Sequence, residues 1–114
     1  MPRSNTTISS AQKSSALVFA ALGDETRLRL VARLCGDKPM CIASLTEGTQ
    51  VTRQGITKHL RVMETAGLVR NTRHGRESMW RLDPKPIEDA RHYLELISRQ
   101  WDDALVRLRN FVES

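Results

Sequence analysis

Aromatic residues make up only 4% of the 114 positions. A core must therefore be assembled from Leu, Val, Ile, Met and Ala rather than from rings. Cysteine occurs twice, at Cys35 and Cys41, too sparsely for a disulfide framework. No apolar run approaches the roughly eighteen residues of a membrane-spanning helix. The opening MPRSNTTISSAQKSS is rich in Ser and Thr and has no apolar stretch, so it does not read as a secretory signal. It reads as a flexible leader over 1–12, followed by one folded domain over 13–114, and the location implied is cytoplasmic. Also missing are a Gly-rich phosphate loop, a nucleophile elbow and a cluster of metal ligands. The three histidines, His59, His74 and His92, fall in three different segments. Neither an enzyme nor a bound cofactor is expected.

What is present is charge in one place. The formal net charge is +5. Between Thr52 and Leu82 stand seven basic residues, Arg53, Lys58, Arg61, Arg70, Arg73, Arg76 and Arg81, against Glu64 and Glu77 alone. The rest of the chain balances, with 11 basic and 11 acidic residues. A single segment holding all the excess points to a local surface for a polyanion.

Ser15 to Leu22, SALVFAAL, reads as a buried first helix stopped by Gly23. Asp24 is placed to cap a second helix, in which Leu28, Val31, Ala32 and Cys35 recur at helical spacing as a buried stripe. Gly36-Asp37-Lys38-Pro39 ends it. Met40 to Glu47 reads as a short apolar helix, Gly48 to Val51 as a tight turn, and Thr52 as the cap of a helix over about 52–66 that Gly67 terminates. A short helix, a turn containing Gly and a second helix form a helix-turn-helix. Leu68 to Leu82 then reads as a β-hairpin with its basic turn at Arg73-His74-Gly75-Arg76. After Pro84 and Pro86 a helix runs over about 86–113, some 27 residues and about 40 Å long. Along it Ile87, Ala90, Leu94, Ile97, Trp101, Ala104, Leu108 and Phe111 recur at steps of three and four. Such a seam is too long for so small a chain to cover and predicts a homodimer, with Leu17 of the first helix joining the interface. The fold expected is mainly α with a small β-hairpin.

On a helical wheel Ile56, Leu60 and Met63 share one sector and face the core. Gln54, Thr57, Lys58, Arg61 and Thr65 face away, with no bulky apolar residue expected among them. Arg53 and Gln54 lie in the first turn, where a recognition helix meets base edges. Arginine suits guanine and glutamine suits adenine. Thr57, Lys58 and Arg61 suit phosphates or bases, Thr52 presents a helix N-terminus to a phosphate, and Arg73, His74 and Arg76 suit the backbone or minor groove. His59 borders the apolar sector and reads equally as packed or as a contact.

These segments resemble a known family. LGDETRLRL (Leu22 to Leu30), VTRQGITKHLRVMETAGLV (Val51 to Val69) and RHGRESMWRL (Arg73 to Leu82) resemble, in order, three motifs of the ArsR/SmtB-like winged helix-turn-helix repressors. The resemblance implies a wing over about 68–82 and a long C-terminal dimerisation helix. It implies a homodimeric repressor that binds an inverted repeat in double-stranded promoter DNA, in some cases its own. It also implies DNA contacts from Thr52, Arg53, Gln54, Thr57, Lys58, Arg61, Arg73, His74 and Arg76. Where the family's metal sensors carry Cys-Val-Cys-Asp-Leu, this chain has Cys41-Ile42-Ala43-Ser44-Leu45. One thiolate without its partners does not make a metal site. The last helix has His92 as its single histidine and carries Gln100-Trp101-Asp102, similar to metal-independent members. The effector is left open. Two alternatives remain at this point: a winged helix used only for protein contacts, and a repressor switched by oxidation of Cys35 and Cys41.

Overall fold

The computed structural model describes the backbone of residues 2–36 and 38–114, and side chains from residue 12 onward, except Asp37, together with Ser10. The elements run α1 (Pro2–Leu22), α2 (Glu25–Leu34), β1 (Met40–Cys41), α3 (Ile42–Thr46), α4 (Arg53–Thr65), β2 (Val69–His74), β3 (Glu77–Leu82) and α5 (Pro84–Glu113). The expected mainly helical architecture with a hairpin and a long last helix is what forms.

α1 begins well before the expected start near residue 13. No Gly or Pro interrupts the chain between Pro2 and Gly23, and a proline at the first position costs a helix nothing. It is not buried all round: Ser15, Val18 and Ala21 face inward, while Leu17 and Phe19 are exposed. Asp24 caps α2 as its position suggests, its side chain accepting from the Arg27 N–H at 3.1 Å. The buried stripe of α2, however, is Leu30 and Leu34, not Leu28, Ala32 and Cys35. Leu28 is 52% exposed, and only Val31 of the expected set packs on the core. Both sets satisfy helical spacing. The side of α2 turned toward α1, α4 and β3 takes the two leucines.

Met40 and Cys41 form a short strand instead of opening the third helix. They pair antiparallel with Trp80 and Met79 of β3, giving a three-stranded sheet in the order β1-β3-β2. Helix α3 is correspondingly short, and Arg33 of α2 holds its end by donating to the carbonyls of Ser44 (3.1 Å) and Leu45 (3.3 Å). The loop residue Asp37 lies outside the described residues.

The core collects Leu30 and Leu34 of α2, Leu45 of α3, Ile56, Leu60 and Met63 of α4, Leu68, Val69 and Trp80 of the hairpin region, and Ala90 of α5. Ala90 and Ile87 thus complete the chain's own core and do not stand in an open seam. Farther along α5, Leu94, Trp101, Leu108 and Phe111 are exposed, together with Leu105 and Val112 on the same side.

Candidate nucleic-acid interface

Helix α4 is delimited at both ends by the chemistry the sequence suggested. The Thr52 side chain accepts from the Gly55 N–H at 3.0 Å, satisfying one donor of the first turn. At the other end Gly67 has φ 79°. Its N–H bonds to the Glu64 carbonyl and that of Leu68 to the Met63 carbonyl, both at 2.9 Å, closing the helix in a Schellman turn. Gly55 is needed for packing rather than for the helix: a Cβ there would lie 2.7 Å from Val51 Cγ1. The absent side chain lets the helix-turn-helix turn fold tightly against the first turn of α4.

The core side of α4 is the one expected, with Ile56, Leu60 and Met63 fully buried. Thr52, Arg53, Gln54, Lys58, Arg61 and Thr65 are exposed. Thr57 is half-buried, and its hydroxyl donates to the Arg53 carbonyl at 2.9 Å. One correction concerns Val62. It is 45% exposed, so the outer side of α4 does carry an apolar side chain. Its methyl pair is of the kind that can pack on a thymine methyl.

The basic residues fall into two kinds. Arg29 pairs with Glu25, Arg91 with Glu88 and Glu95, and Arg70 with Asp83. Among the described residues no acidic group pairs with Arg53, Lys58, Arg73 or Arg76, so their charge projects outward. Arg61 is intermediate. It pairs with Glu64 at 2.9 Å, and its guanidinium lies 5.3 Å from the centroid of the Trp80 ring. It braces α4 against β3, and it would leave Glu64 to reach a phosphate.

In the hairpin, Arg73 pairs with Ser78 and His74 with Glu77. The two-residue turn is Gly75-Arg76, with φ 65° at Gly75. Positive φ at the first turn residue alone fits a type II′ turn, whose twist matches the strands it joins. Arg73, His74 and Arg76 are all exposed at this tip.

His59 is packed and hydrogen-bonded: its Nδ1 lies 3.1 Å from an Arg27 guanidinium nitrogen and 3.8 Å from Asp24 Oδ2. Hydrogen bonds hold the Asp24 and Asp83 carboxyls below the usual range. At Asp24 the leading cause is the Arg27 N–H, and at Asp83 the Lys85 N–H followed by the Arg70 side chain. Cys41 is half-buried, and its thiol lies 3.4 Å from Ser44 Oγ, a bond that lowers its pKa. Cys35 is exposed at the end of α2. Among the described residues no three His, Cys, Asp or Glu side chains converge as a metal site would require.

A short helix, a tight turn, a helix with an exposed basic outer side, and a basic hairpin directly after it make a winged helix-turn-helix. The family described as Helix-turn-helix domain matches residues 22–72. The HTH-type transcriptional regulator Rv2034 of Mycobacterium tuberculosis is 30% identical over 105 residues, covering 92% of this chain and 94% of that protein. An arsenical resistance operon repressor of Bacillus subtilis is 30% identical over 69 residues, 60% of this chain and 66% of that protein. Among solved structures, an ArsR-like transcriptional regulator from Rhodococcus sp. RHA1 superposes with a TM-score of 0.77 at 34% identity, covering 88% of this chain and 93% of the other. The chain belongs to the ArsR-like family of helix-turn-helix transcriptional regulators and is a DNA-binding regulator.

Proposed function

We propose that the chain is a homodimeric repressor that reads an inverted repeat in promoter DNA with α4 and steadies itself on the backbone with the wing. The observation that carries this reading is the outer side of α4, where Arg53, Gln54 and Lys58 are exposed and, among the described residues, no acidic partner neutralises the two cations. Arg53 and Gln54 contact base edges, Lys58 and Arg61 contact phosphates, and Thr57 lies at the groove wall. Thr52 presents the α4 N-terminus to a phosphate, whose charge the helix dipole favours. Arg73, His74 and Arg76 follow the backbone beside the groove. Residues 13–114 are the DNA-binding unit, and α1 extends N-terminally beyond it.

The partner in the dimer is a second copy joined through α5 and Leu17. The uncovered stripe Leu94, Trp101, Leu105, Leu108 and Phe111 supports this, since a contiguous exposed apolar surface of that length is unusual for a monomer. Repression is steric: the dimer covers the promoter, including that of its own gene, and excludes polymerase. The releasing signal is not a metal held at Cys41, because that thiol is engaged with Ser44 and Ala43 and Ser44 supply no second soft ligand. The site of action is the cytoplasm; no described helix is long and apolar enough to cross a membrane.

The test is selection from a pool of random duplexes, followed by titration of the selected duplex and of random DNA in the same salt. The expected outcome is an inverted repeat bound at least about a thousandfold tighter than random sequence. Equal affinity for both would reject sequence reading. No binding to either at low salt would instead favour a winged helix used for protein contacts.

A further inference from the structure

Arg27 has none of the roles above, yet its side chain joins three helices. Its Nε donates to the Ala21 carbonyl, and a terminal nitrogen lies 3.5 Å from that of Ala20. Those carbonyls are at the last turn of α1, which Gly23 ends: Ala20 accepts from the Gly23 N–H at 3.3 Å, and the Ala21 carbonyl, past the reach of the helix's own i+4 donors, takes the Arg27 bond. The other terminal nitrogen lies 3.1 Å from Nδ1 of His59 in the middle of α4. The Arg27 backbone N–H meanwhile donates to the capping carboxylate of Asp24. One guanidinium thus ties the end of α1 and the start of α2 to the recognition helix.

The chemistry of the pair is one-directional. A guanidinium has five N–H donors, no acceptor, and keeps its proton at every accessible pH. His59 Nδ1 must therefore present its lone pair, and the ring's proton must sit on Nε2. A second proton on the ring would set N–H against N–H.

We propose that Arg27 is a positioning residue of the DNA interface: through the unprotonated Nδ1 of His59 it fixes α4 relative to α1 and α2, so that sequence-selective binding requires His59 to stay neutral. The charged groups facing the ring are Arg27 and, at 3.8 Å, Asp24. Asp24 offsets part of an added charge but offers no route to keep the Arg27 bond. The other elements packed on α4 add little. α3 carries no charged residue, α1 has Lys13 about two turns before Ala20, and the β2 residues Arg70, Arg73 and His74 are exposed. The link also spans the molecule usefully. α1 packs along α5, so a shift of that pair moves the carbonyls that anchor Arg27 and, through it, the helix that reads DNA.

The two kinds of DNA binding then respond oppositely to acid. Binding to random sequence depends on phosphates and gains from an extra cation, whereas selective binding depends on the placement of α4. Wild type, Arg27→Met and His59→Asn are titrated with the selected duplex and with a random duplex from pH 8 to 5.5. The ratio of the two affinities should fall about tenfold in wild type over this range, the worth of one charged hydrogen bond. Asn at 59 places an amide oxygen where Nδ1 lies and takes up no proton, so its ratio should stay high and flat. Arg27→Met should have a ratio already low at pH 8. A nitrogen-15 NMR spectrum of the wild-type ring at pH 8 should show the proton on Nε2, a reading that needs no DNA and no variant. The proposal fails if the proton is on Nδ1, if the wild-type ratio is flat with pH, or if folded Arg27→Met keeps the full ratio.

Discussion

Gln54 and Lys58 lie one turn apart on the outer side of α4, and the proposed interface gives them different work. An amide that pairs with a base edge carries sequence information, whereas an ammonium on a phosphate does not. Gln54→Ala should therefore relax preference at one base pair in each half-site, costing about 1–3 kcal/mol on the preferred sequence and little on others. Lys58→Ala should weaken all sequences alike and flatten the salt dependence by about one unit of slope. Reversal of these two patterns in a titration series would exchange their roles. Asp83 makes a separate claim about stability. The Lys85 N–H and then the Arg70 side chain depress its pKa, so its contribution is complete above the ordinary carboxylate value near 4 and is lost as pH falls through the lower folded value. Asp83→Asn retains a cap and removes the charge. Its urea midpoint should drop less than that of wild type between pH 7 and pH 3, and an equal drop would count against this linkage. The outward polar residues were legible from the wheel because burial follows helical phase. The Arg27–His59 bond was not, because its partners are 32 residues apart and only the packing of α2 on α4 brings them together.

At the scale of elements, local chemistry told most where it was unambiguous. Gly67 and Gly75 mark a helix end and a turn by positive φ, and Thr52 and Asp83 mark helix starts by side chains that accept a first-turn N–H. Helix α2 shows the opposite case: ETRLRLVARL offers two apolar sets at helical spacing, and the neighbours decide which one is buried. Strand β1 could not be seen in MCIASLTE, since two residues become a strand only because β3 presents an open edge to them. The helix-turn-helix itself depends on Gly55. Gly55→Ala sets a methyl against Val51 at 2.7 Å. It should destabilise the domain by about 1–3 kcal/mol as overpacking does, despite the gain in helix propensity. An unchanged or raised melting temperature would show that the turn yields freely.

For the whole molecule, shape and surface agree. The radius of gyration is 18.8 Å and the longest extent 67 Å. A compact chain of this length would have a radius near 13 Å. The excess is the long helices, and α5 carries Trp101 at 65% exposure and Phe111 at 80% with no cover from its own chain. The heptad pattern made this seam readable in sequence. The division of labour along it was not, because Ile87 and Ala90 share the spacing but serve the core. Trp101→Asp should give monomers in sedimentation, since a carboxylate would be buried in the seam, and it should leave the wing and α4 folded. A dimer that survives the change would place the interface elsewhere.

The central claim is that two copies of α4 enter the major groove on one face of the duplex. Hydroxyl-radical footprinting of the selected duplex measures that arrangement directly. Two protected half-sites about 34 Å apart, one helical turn, are expected, lost together when Trp101→Asp separates the copies. A single protected half-site that persists in the monomer at unchanged affinity would contradict it.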